Sequence, residues 1–230
     1  MNLRREGRPL LVGHRGAPVL APENTIASFR AAIDHGVDYV EMDVIAYHDE
    51  LVLAHDAASL TEESPRLADG LDLVRGRDVG VILDLKSPGI EEPVVALVQE
   101  RDLLDRAAVA SFHAGAVRRV KELEPRLATG LSYPFDRVGI ANRPAWQPII
   151  RTGLSGLRRT LPARIGGMLA RARADAAMLH HALVSPRLVE RCHARGAAVL
   201  AWTVEDDVAL ARVLAAGVDG VIANDPRLLP

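Results

Sequence analysis

The strongest constraint in this 230-residue chain is a repeat of pattern rather than of sequence: a short apolar run that ends in polar residues, then a helical stretch, then another apolar run. Such runs occupy 10–12, 37–44, 79–86, 107–112, 127–131, 176–179, 197–202 and 218–223. A strand with no polar face suits a parallel sheet, which is covered on both sides. Between the runs, Pro22-Glu23-Asn24-Thr25 opens a helix in which Ile26, Phe29 and Ile33 recur at helical spacing until Gly36. Further helices are expected over 93–104, 115–123, from Ser185-Pro186 to Gly196, and over 206–216. Strands alternating with helices, in a chain near the roughly 250 residues usual for that architecture, predict a (β/α)8 TIM barrel spanning 1–230 as a single α/β domain. An open doubly wound sheet is the competing arrangement, but no G-x-G-x-x-G follows the first strand.

Two stretches depart from the alternation. Leu51-Val52-Leu53-Ala54, after the polar break at 47–50, reads as a strand that turns back on the second one. From Ala57 to Asp78 the pattern is weak and polar, and a short irregular connection is expected there instead of a full helix.

Apolar residues make up 49% of the chain, charged ones 25%, and the net charge is −2. Those values exclude a disordered or membrane-spanning chain, and without a basic excess no nucleic-acid partner is expected. Residues 1–9 are basic but lack an apolar core, so they do not read as a signal peptide, and the expected location is cytoplasmic. Cys192 is the only cysteine, which excludes a disulfide framework and a cysteine-rich metal site; its helical context makes it a packed thiol.

A TIM barrel gathers functional residues at the C-terminal ends of its strands. His14, Glu41, Asp43, Asp84, Lys86, Phe112 and Trp202 lie at or near such ends, and the strand that turns back delivers His55-Asp56 to the same rim. Glu41 and Asp43 are two residues apart, hence on one face of a strand with Cα atoms roughly 6 to 7 Å apart. With Asp84 from the next strand they form a set of hard oxygen ligands suited to one divalent cation, Mg²⁺ or Ca²⁺. His14 and His55 can divide general acid and base work, because imidazole exchanges protons near neutral pH. Arg15 and Lys86 beside a cation suit a small-molecule substrate with negative charge, phosphate above all. Trp202 has two readings, an apolar wall of the pocket or a side chain of the core. His35, His48 and His193 are given no functional role.

His14-Arg15-Gly16, Pro22-Glu23-Asn24-Thr25, Glu41-x-Asp43, His55-Asp56, Ser111-Phe112, Trp202-Thr203-Val204 and the run from Gly217 to Pro226 together resemble the glycerophosphodiester phosphodiesterases. The resemblance covers nearly the whole chain. It implies a barrel that uses a divalent cation to hydrolyse glycerophosphodiesters to glycerol 3-phosphate and an alcohol. In that family the histidines matching His14 and His55 are the acid and base, the carboxylates matching Glu41 and Asp43 hold the metal, and Arg15 matches a phosphate-contacting position. The chain departs from the family in having Asp84-Leu85-Lys86 where Glu-x-Lys is usual, as in sphingomyelinase D-like phospholipases, and in lacking an arginine among Leu60-Thr61-Glu62-Glu63-Ser64. A lysophospholipase D-like activity and a catalytically silent phosphate-binding barrel remain as alternatives.

Residues 147–174 are the least family-like. They carry Arg151, Arg158, Arg159, Arg164, Arg171 and Arg173 without an acidic residue, while Ile165, Met168, Leu169 and Ala172 recur at helical spacing. A basic amphipathic helix of this kind can make peripheral contact with an anionic membrane, or form an outer barrel helix. His180 and His181 follow the sixth strand, where one of them could face the pocket. The oligomeric state is not legible.

Overall fold

The computed structural model describes residues 3–4, 7–135 and 147–228. Eight parallel strands close on one another: β1 (Leu10–Gly13), β2 (Tyr39–Tyr47), β4 (Gly80–Leu85), β5 (Ala107–Ser111), β6 (Ala128–Tyr133), β7 (Ala176–His180), β8 (Ala198–Val204) and β9 (Gly220–Ala223). Closure comes from β1, which pairs with β9 on one side and β2 on the other. The open doubly wound alternative is thereby excluded. β3 (Glu50–Leu53) is the strand expected to turn back; it pairs antiparallel with β2, Val44 opposite Leu53, and lies outside the ring.

The helices are α1 (Ile26–Asp34), α2 (Leu67–Arg75), α3 (Glu91–Glu100), α4 (Ala114–Leu123), α5 (Gln147–Ala172), α6 (Pro186–His193) and α7 (Asp207–Ala215). Local chemistry sets their starts. Thr25 caps α1 through its hydroxyl, Ser185 caps α6 with Pro186 at the first helical position, and the Asp206 carboxylate accepts from the Ala209 N–H at 2.7 Å to cap α7.

Helix α2 corrects the expectation of an irregular connection. Leu67, Leu71 and Val74 stand one above another on a single face and are fully buried, and the Asp69 carboxylate accepts from the Arg66 N–H at 3.0 Å. Gly70 lets the helix approach so closely that an added Cβ would lie 2.8 Å from a Leu53 methyl and 2.9 Å from the Met42 sulfur. Packing, which composition does not reveal, decides this element.

Alternation along the strands separates two cores. Val12, Ile82, Ala110, Ala128, Met178, Leu200 and Ile222 point into the barrel, while Val40, Met42, Leu83, Val109, Leu179 and Val199 point out to the helices. Alanines at 108, 110, 128, 176 and 198 keep the interior narrow-walled, which leaves space at the mouth. Helix α5 buries Leu161, Ile165, Leu169 and Ala172 against this outer layer, each large side chain adding about 1.5–3 kcal/mol of burial. The apolar residues noted at helical spacing are therefore mostly spent on the barrel, and its arginines face outward or lie at the flanks; the Arg151 side chain lies outside the described residues. Among the described residues no helix is long and apolar enough to cross a membrane.

Candidate active site

The loop after β1 reverses sharply. Arg15 and Gly16 both take left-handed backbone, φ 52° and 88°, and a Cβ on Gly16 would fall 2.4 Å from the Ser28 hydroxyl, so only glycine fits there. Arginine at a left-handed position carries strain, and here it aims the Arg15 N–H at Glu41 Oε2, 2.8 Å away.

Register places the carboxylates. Tyr39, Glu41 and Asp43 alternate inward on β2, Ile82 and Asp84 do so on β4, and Asp43 lies directly opposite Asp84 in the parallel ladder. Glu41, Asp43 and Asp84 are all buried, and one oxygen of each lies within 4.8 Å of the others.

Asp43 is the hub of this cluster. Its Oδ1 stands 2.6 Å from Lys86 Nζ, and its Oδ2 stands 2.9 Å from Arg15 Nε and 3.1 Å from His55 Nδ1. Asn24 clamps it from below, Nδ2 donating to Oδ2 at 3.0 Å while the Asp43 N–H donates back to Asn24 Oδ1 at 3.1 Å. Burial alone would raise this carboxyl, but Lys86, the His55 hydrogen bond and Arg15 outweigh it and hold Asp43 far below the usual range. Burial would likewise discharge Lys86, but Asp84, Asp43 and Glu41 keep its ammonium above its ordinary value. Glu41 has no such surplus of cations: burial and then Asp43 push its carboxyl well up.

Three buried carboxyl groups thus face the ammonium of Lys86 and the guanidinium of Arg15, and one of the three, Glu41, is favoured in its protonated form. Asp84 Oδ2 accepts from Lys86 Nζ at 2.5 Å, and its Oδ1 is buried with no hydrogen-bond partner among the described residues. An orphaned oxygen and, beside it, a carboxyl short of cationic partners fit a hard divalent cation, which takes oxygen ligands and would favour the ionised form of Glu41.

His14 follows β1, with Nδ1 2.7 Å from Asn224 Oδ1. Desolvation at the barrel mouth, followed by the neighbouring Arg15 charge, lowers this ring to about 4, so it is neutral at physiological pH. His55 arrives on the segment after β3, and its Nδ1 meets Arg15 Nη2 at 2.9 Å as well as Asp43. Arg15 Nη1 is anchored by both Glu23 oxygens at 2.9 Å.

One pocket collects these groups. His14, Arg15, Glu41, His55, Asp84 and Lys86 line one side of it, and Phe112, Ser132, Met178, Trp202 and Ile222 the other. Every site residue named from the sequence therefore lies in this pocket or, like Asp43, directly beneath it. Trp202 meets Phe112 edge-on at 5.7 Å, with its indole N–H buried and without a partner among the described residues. His180 stands behind Trp202, ring centroids 5.4 Å apart, and His181 accepts from Arg212 at 2.7 Å; neither lines the pocket. His193 pairs with Asp219 at 2.7 Å, and Cys192 is buried with its thiol pushed up to about 12, mainly by burial. Sequence reading missed Asn24, Asn224 and Glu23 as partners of the charged groups. Asn24 offered one signal, since asparagine tolerates the left-handed backbone it adopts here at φ 57°.

The model of the glycerophosphoryl diester phosphodiesterase family matches residues 14–76 and 79–228, nearly the whole chain. The chain belongs to that family of phosphoric diester hydrolases. A glycerophosphodiester phosphodiesterase of Caldanaerobacter subterraneus subsp. tengcongensis is 27% identical over 261 residues, covering 96% of either chain. One of Bacillus altitudinis is 25% identical and covers 94% of either. Among solved structures, an Oleispira antarctica phosphodiesterase in complex with sn-glycerol-3-phosphate superposes with a TM-score of 0.71 at 23% identity, covering 95% of this chain and 94% of its own. These structural likenesses extend over the whole barrel and bear on the fold.

Proposed function

We propose that this enzyme hydrolyses glycerophosphodiesters to glycerol 3-phosphate and an alcohol. The observation that carries the reading is the meeting of two imidazoles, two basic side chains and three buried carboxylates around a single pocket with an aromatic wall. It is supported by the relatives' names and by the glycerol 3-phosphate bound to the Oleispira antarctica protein.

In this reading Glu41, Asp43 and Asp84 hold one divalent cation, Mg²⁺ or Ca²⁺. When bound, the cation neutralises phosphate charge and lets the diester approach a cluster of carboxylates. Arg15 and Lys86 face the same phosphate; Arg15 is pre-aimed by Glu23 and Asp43, so it stabilises growing oxyanion charge with little reorganisation. Of His14 and His55, one takes the proton of the attacking oxygen while the other returns a proton to the departing alcohol. Trp202 and Phe112 form the apolar wall against which the glycerol or alcohol carbons rest. The test is release of glycerol 3-phosphate from glycerophosphocholine and its analogues across Mg²⁺, Ca²⁺ and Mn²⁺. Binding without product release under all three would leave a silent phosphate-binding barrel.

A second reading is favoured by a groove that continues from the pocket past Phe112 and Ser132, between Tyr133, Phe135, Leu157 and Met168, with Arg164 and Arg171 on its α5 side. An apolar arm fits such a groove, so lysophospholipids are candidate substrates alongside water-soluble diesters. Rates on lysophosphatidylcholine and glycerophosphocholine, with phosphorus NMR of the products, separate the two; a cyclic phosphate would identify attack by the substrate's own hydroxyl.

A further inference from the structure

We propose that Asn224 and Glu205 are positioning residues that fix the tautomer of His14 and leave its Nε2 lone pair bare toward the pocket. The inference rests on the reading that His14 is one of the acid and base pair.

Three consecutive strands of the ring contribute. Glu205 follows β8, Asn224 follows β9 and His14 follows β1, where the His14 N–H donates to the Ala223 carbonyl at 2.9 Å and locks the two strand ends together. Along this rim Asn224 Nδ2 donates to Glu205 Oε1 at 3.0 Å, and Asn224 Oδ1 stands 2.7 Å from His14 Nδ1.

The logic of donors and acceptors fixes the rest. An ionised carboxylate only accepts, so Glu205 turns the NH₂ end of Asn224 toward itself and the carbonyl end toward His14. A carbonyl oxygen only accepts, so His14 must carry its proton on Nδ1. In a neutral ring the proton on Nδ1 leaves Nε2 as the basic nitrogen. His14 is thus held ready to take a proton from the attacking oxygen, and it becomes the acid only after it has done so.

His55 has no such chain. Its Nδ1 lies between Arg15 Nη2, a pure donor, and Asp43 Oδ2, a pure acceptor, and one nitrogen cannot serve both at once. The Asn224 amide fixes the ring of His14, and among the described residues no amide of that kind holds His55.

The experiment uses the full chain with ¹⁵N-labelled histidine. Two-bond nitrogen–proton correlation spectra report which ring nitrogen bears the proton, and the His14 signals among eight histidines are those lost in His14→Gln. Wild-type His14 is expected in the Nδ1–H form. Asn224→Ala shifts the ring toward Nε2–H and lowers kcat on glycerophosphocholine by about 10²-fold, with KM within about twofold. Glu205 is exposed, so its variants retain the fold. Glu205→Ala gives a mixed tautomer and a drop of about tenfold, whereas Glu205→Gln still accepts from Asn224 and restores both readouts. An Nε2–H tautomer in the wild type, or unchanged tautomer and kcat in both alanine variants, overturns the proposal. Normal turnover in His14→Ala would instead overturn the acid and base reading, and the tautomer spectra would still decide the relay.

Discussion

Between β1 and β4 the barrel mouth carries His14, Arg15, Glu41, Asp43, His55, Asp84 and Lys86; between β5 and β9 it presents Phe112, Ser132, Met178, Trp202 and Ile222. The first half is a lattice of charges that fix one another, with Asp43 touched by three basic groups and an amide. The second half is a wall of carbon with few bonds to satisfy, the indole N–H of Trp202 among them. In this fold both halves have the same backbone, so the difference lies only in which inward positions are polar. Substitutions in the charged half, and in the Glu205–Asn224 pair that reaches it, should slow or remove reaction, and those of the wall residues Phe112 and Trp202 should change what is bound and how well.

The sharpest way to break that division is at the histidines. His14→Ala or His55→Ala is expected to lower kcat by about 10²–10⁴-fold while circular dichroism stays unchanged. Near-normal rates in either variant would mean that the charged half binds but does not react. Next in size is the cation. Chelation should abolish turnover, and added Mg²⁺ or Ca²⁺ should return it; in Asp84→Ala, calorimetric cation affinity should fall by at least about tenfold. Unaltered affinity would remove Asp84 from the cluster. On the other side of the mouth, Phe112→Ala and Trp202→Ala should raise KM by about tenfold and leave kcat within a few-fold. A collapse of kcat with constant KM would erase the distinction between the halves.

The smallest expected effect is on stability behind the apolar wall. His180 is lowered to about 4 by burial, then by His181 and Arg212, from an ordinary 6.5. Between those values an unfolded chain binds a proton that the folded chain refuses, so stability falls as pH drops from 6.5 toward 4; above 6.5 both states are neutral and the ring contributes nothing. His14 acts in the same direction. Urea midpoints of His180→Gln should decline less steeply across that window than those of the wild type, and identical slopes would refute the assignment.

The barrel and its charged residues were legible because each depends on short-range pattern. Val81 to Leu85 reads as a strand wherever it is placed, and Glu41 with Asp43 share a face by spacing alone. Helix α2 was not, because its three buried apolar residues sit among charges, and what makes them a helix is Met42 and Leu53 beneath Gly70. Asn24 and Asn224 were missed for a different reason. An amide carries no charge and no ligand preference in sequence, and its value here comes from a carboxylate in one case and a ring nitrogen in the other, each brought near by the fold.

The bond between His14 and Asn224 joins residues 210 positions apart across the seam where β1 meets β9. Glu41, Asp43 and His55 instead lie within one hairpin and its outlet, so their mutual placement needs little chain to be ordered. From loop-closure cost alone, Glu41, Asp43 and His55 are expected to gather early and His14, the proposed proton acceptor, to be aimed last, when the ring shuts. A chain caught before that step would be able to hold an ion yet not turn over, and the onset of activity during refolding would time the closing of the seam.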